Sequence, residues 1–420
     1  MMRILVLSQY YRPEPIAKPP ELAEALQGRG HRVSALTSFP NYPSGKLHSG
    51  YRLKLMQREV IAGIPVLRAL TFPYHGRRAS GRILNYASFA LFATLVGFVA
   101  PPCDIIYVWH PPLTIGIAAW LVARFRRVPF VYDVQDIWPE SVTLSGVVRP
   151  GSWLLSTMSA LERFVYARAD HLIVVTEGAR QNLITKGVPA TKVSVLPHWV
   201  DDRLFDAVGR EQVRLVRETY AWGSRFVALF AGNIGLLQGL ETLVRAAAEL
   251  PPDAGVLLVL VGDGTDKSRL EKLAIEIGAT DRVQFIEQQP PDRMPALMAA
   301  ADVLLVHLKR SAMSHHVIPT KTLAYMAAGK PLLMAMEGAA ADLARASGAG
   351  TPVPPEEPGA LARAMLALRS MDAGEREAMG SRGREYVRVH LSRDKVVPQY
   401  EALFQRMVDA RADRSSSRHP

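Results

Sequence analysis

Short apolar runs alternate with longer segments of helical periodicity along most of this chain. Such an alternation predicts parallel strands that are connected by helices. In the first half, the predicted strands are 3–8, 32–37, 64–69, 105–109, 129–134, 171–176 and 193–196. In the second half, they are 226–230, 256–261, 283–286, 303–308 and 332–336. The fold class is therefore α/β, with parallel sheets of the doubly wound, Rossmann-like type.

The strand–helix rhythm stops near 197–202 and then restarts, and 420 residues suffice for two domains. We expect an N-terminal domain over 1–200, a C-terminal domain over 201–392, and a final segment over 393–420. That segment should hold a helix that packs back towards the N-terminal domain, followed by a disordered tail from residue 412. Ligands of such sheets bind beyond the carboxyl ends of the strands, so the predicted site is a cleft between the two domains.

The positive charge of the chain is concentrated in its first half. The formal net charge is +11, and residues 1–205 carry +10 of it. This asymmetry indicates an anionic partner, either nucleic acid or an acidic membrane surface. Zinc-finger spacing, aromatic RNA-binding motifs and long basic helices are all missing from the sequence, so a membrane is favoured. A single cysteine, Cys103, excludes a disulfide framework and suits a reducing compartment.

Residues 83–102 contain no charged side chain, and about 20 such residues could span a bilayer. Polar residues interrupt the run, and predicted strands stand on both sides of it. A helix that packs on the domain or lies in the membrane interface is therefore favoured over a true span. The arginines nearby resemble the basic fringe of a membrane-docking surface, although a solvated face is the alternative; they are Arg77, Arg78, Arg82, Arg124, Arg126 and Arg127.

The stretch 319–331 has the start and stop signals of one short helix. Pro319 suits the first turn, Thr320 is expected to cap the next amides, and Gly329 supplies a left-handed end. A helix N-terminus carries partial positive charge, so the lysine in its first turn is poorly placed unless an anion lies nearby. We therefore interpret Lys321 as facing a phosphate, against the alternative of a solvated surface lysine.

Glycines follow two strands of the second half, where backbone amides can approach a phosphate. They are Gly232, Gly235 and Gly239 after one strand, and Gly262 and Gly264 after the next. A glycine loop alone is weak evidence, but these loops and the Lys321 helix converge at strand ends. Together they predict a ligand that carries a diphosphate.

Six motifs resemble one known family, in the family's order and over nearly the whole chain. They are QYYRPEP at 9–15, RGHRV at 29–33, SFPNYPSG at 38–45, DIWPES at 136–141, GNIG at 232–235 with QGLE at 238–241, and PTK at 319–321 with YMAAGKP at 325–331. The chain resembles a family 4 retaining glycosyltransferase of the GT-B fold, in the branch that serves colanic acid, capsule and O-antigen assembly.

The resemblance implies that a hexosyl or N-acetylhexosaminyl group moves from a nucleotide diphosphate sugar, such as a UDP-sugar, to a polyprenyl-linked or saccharide acceptor. It implies retention of configuration, no metal and no separate cofactor, with the donor on the C-terminal domain and the acceptor on the N-terminal domain. The expected place is the cytoplasm, peripherally on the inner face of a bacterial plasma membrane. A monomer or weak dimer is expected, and no nucleic acid.

Several positions depart from the family pattern. The two family glutamates fall on His316 and Ala324, and the diphosphate-binding arginine and lysine fall on Asn233 and Gln238. Phosphate neutralisation is then left to Lys321, with help from Lys309 and from Lys18 in a loop of the first domain. The resemblance therefore assigns donor binding to Lys18, Gly232, Asn233, Gly235, Gln238, Gly262, Gly264, Lys309, His316 and Thr320.

The N-terminal domain supplies two further catalytic candidates beside Lys321. His110 follows a strand and matches a family histidine motif, so it is expected to contact the sugar or acceptor; the alternative is a core imidazole. Asp136 could accept a proton from the acceptor hydroxyl or orient it, and its alternative is an N-cap. The adjacent pair His315 and His316 has no third ligand, so no metal site is predicted.

Two other functions remain open at this stage. A nucleotide-sugar epimerase of the same architecture would need more carboxylates and histidines around the sugar. A non-catalytic nucleotide-binding or membrane-docking protein is suggested by Ala324, Asn233 and Gln238. The density of motifs favours the glycosyltransferase.

Overall fold

The structure, a computed structural model, describes residues 1–76, 78–144 and 151–416. The chain forms two compact units. The N-terminal unit comprises Met1–Leu196 together with the residues from Val397 onwards, and the C-terminal unit comprises Pro197–Val396. The donor and acceptor roles assigned to the two domains stay predictions.

The N-terminal unit is built on an eight-stranded sheet. Its strands are β1 Arg3–Ser8, β2 Arg32–Ser38, β3 Met56–Ile61, β4 Ile64–Ala69, β5 Ile105–Trp109, β6 Phe130–Val134, β7 His171–Val174 and β8 Val193–Val195. Its helices are α1 Lys18–Gly28, α2 Ala79–Val99, α3 Ile115–Arg126, α4 Glu140–Leu144, α5 Trp153–Arg168 and α6 Glu177–Thr185. The strand order is β3-β4-β2-β1-β5-β6-β7-β8, and every pair is parallel except β3 with β4.

The C-terminal unit is built on a parallel six-stranded sheet in the order β11-β10-β9-β12-β13-β14. The strands are β9 Phe226–Ala231, β10 Val256–Val261, β11 Val283–Ile286, β12 Val303–His307, β13 Leu332–Ala335 and β14 Gly350–Val353. The helices are α7 Arg210–Thr219, α8 Glu241–Glu249, α9 Lys267–Glu276, α10 Met294–Ala300, α11 Thr320–Ala327, α12 Ala339–Ala346, α13 Pro358–Ser370 and α14 Ala373–Tyr386, with a π-helical turn over Val387–Leu391. The last helix, α15 Arg393–Ser416, begins in this unit and belongs to the N-terminal unit from Val397 onwards.

The sheet of the C-terminal unit is buried on both faces, as expected of a parallel sheet with helical crossovers. Along β9, Val227 and Leu229 face one apolar cluster, and Ala228 and Phe230 face the other. Because both faces are covered, these strands are apolar throughout rather than alternating. The predicted fold class, two doubly wound parallel-sheet domains, is confirmed.

Some predicted boundaries were wrong. Helix α1 begins at Lys18 rather than after Pro20, so Lys18 lies in a helix and not in a loop. Pro19 and Pro20 are compatible with this start, because proline is tolerated in the first turn, where its missing N–H has no intrahelical partner. Strands β3 and β14 and helices α7 and α12 were not predicted, since they are short, polar or alanine-rich.

The C-terminal tail was predicted to be disordered from residue 412, but α15 continues to Ser416. Residues 417–420, like Arg77, lie outside the described residues. Within the N-terminal unit, Phe404 of α15 is fully buried and its ring lies 5.7 Å from that of Tyr107. The helix is therefore part of the core of this unit.

A buried carboxylate connects α15 to the N-terminal sheet. Asp133 on β6 accepts hydrogen bonds from the hydroxyls of Tyr107 on β5, at 2.6 Å, and of Tyr400 on α15, at 3.2 Å. Gln135 donates a third, at 2.5 Å. Burial raises the pKa of Asp133 to about 6, while these donors act in the opposite direction. The donors compensate a buried acidic group, which would otherwise be costly.

Helix α2 covers the predicted apolar segment and packs against α3, β2 and β4. In the described part of the chain it is the one helix that is long and apolar enough to cross a membrane, with a mean hydropathy of 1.5. One side of it, with Asn85, Phe89 and Ala93, is buried in the unit. The opposite side exposes leucines and a valine to solvent.

Replacing Tyr400 by phenylalanine should loosen α15, because it removes a hydrogen bond to a buried carboxylate. Such bonds contribute about 2 kcal/mol, which corresponds to about a thirtyfold loss of amide protection in α15, measured by hydrogen exchange. Tyr132→Phe is the matched control, since the buried Tyr132 hydroxyl has no hydrogen-bond partner among the described residues. Equal protection of α15 in both variants would contradict this role of Tyr400.

Candidate functional site

Helix α11 presents its N-terminus at the end of the C-terminal sheet. Pro319 precedes the helix and offers no side-chain cap, and Thr320 is its exposed first residue. Thr320 therefore does not cap the helix, contrary to the prediction, because it already has its place in the first turn. Gly329 ends the helix with a φ of +69°, as predicted. The first amides of α11 are left without side-chain caps, which suits an anion.

Lys321 lies in the first turn of α11, and its ammonium group lies against the end of β9. Its Nζ is 3.7 Å from the centre of the Phe230 ring. A Cβ added to Gly232 would lie 2.8 Å from the same Nζ. No ion pair to Lys321 is found among the described residues, and burial lowers its pKa to about 7. A half-buried ammonium beside a ring and a glycine, without a carboxylate, provides a site for an external anion.

Tyr325 attaches α11 to the strand that carries the glycine loop. Its hydroxyl accepts a hydrogen bond from the Ala231 amide at 2.7 Å and donates one to the Ala231 carbonyl at 2.9 Å. Tyr325 is fully buried. One turn of helix separates it from Lys321, so the clamp sets the position of Lys321 relative to Gly232. This role of Tyr325 was not predicted from the sequence, because nothing local shows which backbone group a tyrosine reaches.

The two glycine loops lie backbone against backbone. A Cβ on Gly262 would lie 2.0 Å from the Gly232 carbonyl oxygen, and one on Gly264 would lie 2.2 Å from the Ile234 carbonyl oxygen. The amide of Ile234 donates to the Asp263 carbonyl at 2.8 Å. Gly262 is buried, so it supports the first loop from beneath, whereas Gly232 is exposed. Any larger residue would separate the loops.

Asn233 and Gln238 converge over Gly235. A Cβ there would lie 2.7 Å from Asn233 Nδ2 and 3.0 Å from Gln238 Oε1. On the other side of the loop, Lys309 is exposed, and its Cγ would lie 2.8 Å from a Cβ on Gly239. The structure thus brings Asn233, Gln238, Lys309 and Lys321 to one loop.

His307 holds this loop in place, which the sequence analysis missed. Its Nδ1 is 2.6 Å from the Gln238 carbonyl, and its Nε2 is 3.3 Å from the Glu356 amide. The carbonyl can only accept and the amide can only donate, so Nδ1 carries the proton and the ring is neutral. Burial lowers the pKa of His307, which agrees with the neutral form. A histidine that ends a strand beside a glycine loop was the available signal.

The remaining C-terminal candidates lie around the start of α11. His316 follows the short 3-10 turn Ala312–His315 and donates its amide to the Met313 carbonyl. Ala324 lies on the buried side of α11 against the apolar cluster of this unit. An alanine there can form no hydrogen bond to a sugar hydroxyl through its side chain.

Lys18 resembles Lys321 in its local setting, although it belongs to the N-terminal unit. It is the first residue of α1 and is half-buried. Burial lowers its pKa to about 7, against the opposing charges of Glu21 and Asp133. A lysine at a helix N-terminus again suits an anionic ligand.

His110 follows β5 and is only 1% exposed. Its ring lies 5.7 Å from that of Tyr132 and 5.5 Å from that of Trp138. Neither ring nitrogen has a hydrogen-bond partner among the described residues, and burial lowers the pKa of His110 to about 3. His110 is therefore a neutral imidazole, and its role towards a sugar or acceptor stays a prediction.

Asp136 lies in the loop after β6 and lines a cavity of about 460 Å³ within the N-terminal unit. Its carboxylate makes no hydrogen bond to the described residues, so the alternative N-cap role has no contact to support it. Burial raises the pKa of Asp136. A carboxylate in this condition can hold or accept a proton.

Glu14 connects two of the sequence motifs. Its carboxylate accepts hydrogen bonds from the amides of Tyr11 at 3.1 Å, Asn41 at 2.8 Å and Tyr42 at 2.8 Å. The loop after β1 and the loop after β2 are therefore fixed to each other. Glu14 belongs to the motif QYYRPEP, and Asn41 and Tyr42 belong to the motif SFPNYPSG, so the two motifs form one structural unit.

Within residues 1–76, 78–144 and 151–416, no three histidine, cysteine, aspartate or glutamate side chains are grouped so that they could hold a metal ion. The cationic groups beside the glycine loop after β9 include Lys309, Lys321 and the first amides of α11.

Comparison with known proteins identifies the family. Residues 20–199 match the glycosyl transferase 4-like domain, and residues 216–386 match the glycosyl transferases of group 1. The 2-deoxystreptamine glucosyltransferase of Streptomyces kanamyceticus is 30% identical over 351 residues, which are 77% of this chain and 86% of that enzyme. The chain belongs to the group 1 glycosyltransferases.

Two further likenesses place this glycosyltransferase among its relatives. A putative colanic acid biosynthesis glycosyl transferase of Escherichia coli, WcaI, is 29% identical over 342 residues, 78% of this chain and 82% of that protein. The crystal structure of HepE from Anabaena in complex with UDP has a TM-score of 0.74, at 19% identity, over 96% of this chain and 100% of that one. The GT-B fold and the family predicted from the motifs are confirmed.

Tyr325→Phe should weaken nucleotide binding by this glycosyltransferase. The substitution leaves the Ala231 amide and carbonyl without their partner, and Lys321 loses its fixed distance to Gly232. We expect about a tenfold loss of affinity for the best-bound nucleoside diphosphate, measured by titration calorimetry. Thr322→Val is the matched control on the same helix, because the buried Thr322 hydroxyl has no hydrogen-bond partner in the part of the chain that the structure describes. If Tyr325→Phe binds the nucleoside diphosphate with unchanged affinity, then Tyr325 does not position the nucleotide site.

Proposed function

We propose that this glycosyltransferase moves a hexosyl or N-acetylhexosaminyl group from a nucleotide diphosphate sugar to a lipid-linked saccharide, with retention of configuration, in bacterial surface polysaccharide synthesis. The observation that carries this proposal is the Lys321 ammonium beside Gly232, without a carboxylate partner among the described residues. A diphosphate would supply the missing negative charge.

The relatives support the substrate classes. WcaI is described as a colanic acid biosynthesis enzyme, and HepE was crystallised with UDP. Colanic acid is a surface polysaccharide, so we propose a similar product class here. UDP is the donor nucleotide that we propose to test first.

The transfer requires one bond to break and one to form at the anomeric carbon. The bond from that carbon to the diphosphate oxygen breaks, and the diphosphate leaves with the electron pair. The acceptor hydroxyl oxygen then bonds to the same face of the carbon, and its proton passes to the departing phosphate. Charge grows on the diphosphate in the transition state, so a preorganised cation that meets it there lowers the barrier.

In this proposal the lysines and helix amides replace a metal ion. Lys321 and the first amides of α11 meet the departing diphosphate, and Lys309 and Gln238 border the same loop. In the N-terminal unit, Lys18 at the start of α1 is a further candidate group for binding an anion. Asn233 and Gly235 form the wall of the phosphate site, and Gly262 and Gly264 support it.

Asp136 is proposed to orient the acceptor hydroxyl. No described residue donates a hydrogen bond to its carboxylate, so the carboxylate is available to accept one from the acceptor hydroxyl, and burial raises its pKa. His110 is proposed to shape the sugar site as a neutral ring.

We also propose a peripheral membrane location on the cytoplasmic face. The net charge of residues 1–205 and the exposed apolar side of α2 support it, because cationic and apolar groups together bind anionic bilayers.

Lys321→Ala should lower kcat by about a hundredfold or more while leaving the fold intact, since a single electrostatic donor contributes about that much to a transition state. The measurement is turnover of labelled nucleotide sugars with bacterial lipid extract, together with circular dichroism. Lys272→Ala removes an exposed lysine of the same unit and should leave kcat unchanged. Equal kcat values in Lys321→Ala and Lys272→Ala would show that Lys321 has no role in the reaction. Complete absence of transfer by the wild type, with every common donor, would overturn the proposed function.

The pKa of Lys321 predicts how nucleotide binding depends on pH. Its pKa is about 7 in the free protein, and a bound diphosphate would raise it. Binding therefore takes up a proton above pH 7, and affinity falls by up to about tenfold per pH unit until the raised pKa is passed.

Calorimetry at pH 8 in buffers of different ionisation enthalpy measures this proton uptake directly. Lys321→Arg keeps its charge at pH 8 and should show a smaller uptake than the wild type. The same uptake in both proteins would show that Lys321 is not the group that titrates.

A further inference from the structure

The cavity that Asp136 lines is a groove between helices of the N-terminal unit, and its walls are almost entirely apolar. The side chains come from α2, α4, α5 and the loops after β5 and β6; they include Ile83, Tyr86, Trp138, Trp153, Leu154 and Met158. Its volume of about 460 Å³ is large for a surface that binds only water. Apolar walls of this extent indicate an apolar ligand.

Two charged side chains enter the groove. Asp136 makes no hydrogen bond to the described residues, and burial raises its pKa. Arg82 uses Nε to donate to the Gly76 carbonyl at 3.1 Å, and its terminal nitrogens have no recorded partner among the described residues. The two charges form no ion pair with each other. The groove therefore offers one cation and one carboxylate beside a long apolar wall.

The groove borders an exposed apolar surface. On α2 the side chains of Leu84, Leu91, Leu95 and Val99 recur at helical spacing and are each about half exposed. On α3, Leu121 and Phe125 are also exposed. Helices α2 and α3 contain no acidic residue and carry Arg82, Arg124 and Arg126. This surface is complementary to an anionic bilayer, from which a lipid chain could enter the groove.

We propose that this groove binds the isoprenyl chain of a lipid-linked acceptor, with the phosphate of the carrier near Arg82. The inference rests on the proposed function and names the site of its acceptor. The volume holds about fifteen water-sized groups, which is room for a single chain of about three five-carbon units. The two chains of a bilayer phospholipid together exceed this volume. The aromatic walls of Tyr86, Trp138 and Trp153 suit the branched methyl groups of an isoprenyl chain.

Direct binding of a defined probe tests the proposal without a glycosyl donor. Farnesyl phosphate carries a branched chain, and dodecyl phosphate carries a linear chain with the same head group. Calorimetry should show that farnesyl phosphate binds at least tenfold more tightly than dodecyl phosphate, and that inorganic phosphate does not compete. Equal affinity for the two lipids would overturn the isoprenyl assignment. Competition by inorganic phosphate alone would show that only the head group is recognised.

Two variants locate the binding. Ala87 on α2 and Thr157 on α5 line the groove and are exposed, so tryptophan at either position fills the groove without entering the core. We expect Ala87→Trp and Thr157→Trp each to weaken farnesyl phosphate binding at least tenfold. If one variant fails to fold, the other still tests the site. Unchanged binding in a folded variant would place the lipid elsewhere.

A matched control separates the groove from the surface beside it. Leu95 lies on α2 outside the groove, so Leu95→Ser should leave farnesyl phosphate binding in solution unchanged. A tenfold loss in Leu95→Ser would show that the probe binds the exposed surface instead. Nucleoside diphosphate binding, measured on the same proteins, reports on the proposed function separately. A wild-type protein that binds nucleoside diphosphate but not farnesyl phosphate would overturn the groove and leave the proposed function standing.

Discussion

The placement of one ammonium group, that of Lys321, dominates the C-terminal unit. A lysine at a helix N-terminus is repelled by the helix dipole, and partial burial removes part of its hydration. The Phe230 ring compensates part of this cost, but burial still lowers the pKa of Lys321 to about 7. A site in this condition binds an anion favourably, because the anion relieves both penalties at once. The partly buried ammonium is thus unfavourable in the free protein but favours binding in the complex with an anion.

The surrounding residues keep that ammonium at a fixed distance from the glycine loop. Tyr325 clamps α11 to Ala231, and His307 ties the other end of the loop through the Gln238 carbonyl. Gly262 allows the second loop to support the first without a side chain between them. Electrostatic stabilisation of a leaving group requires such rigidity, since donors that must move first lose much of their effect.

In the N-terminal unit, buried polar groups have a structural task. Asp133 accepts hydrogen bonds from Tyr107 on β5, from Gln135 directly after β6 and from Tyr400 on α15, while Glu14 fixes two loops through backbone amides. Both are satisfied carboxylates. Asp136 differs from them because no described residue donates to it, and this difference separates a candidate functional carboxylate from structural ones.

The sequence by itself determined the two doubly wound domains, the short helix within 319–331 with its lysine, the glycine loops and the family. These features depend on local periodicity, on turn chemistry and on short motifs, which neighbouring residues specify. Only the tertiary structure decided that Tyr325 reaches Ala231, that Gly262 lies under Gly232, that Tyr400 reaches Asp133, and that α2 and α5 leave a groove between them. Periodicity indicates which residues are buried, but the partners of a buried polar group come from distant parts of the chain and are fixed by packing. The same limit applies to the segment 83–102. Its apolar composition is visible in the sequence, but packing in the folded unit decides which of its side chains stay exposed.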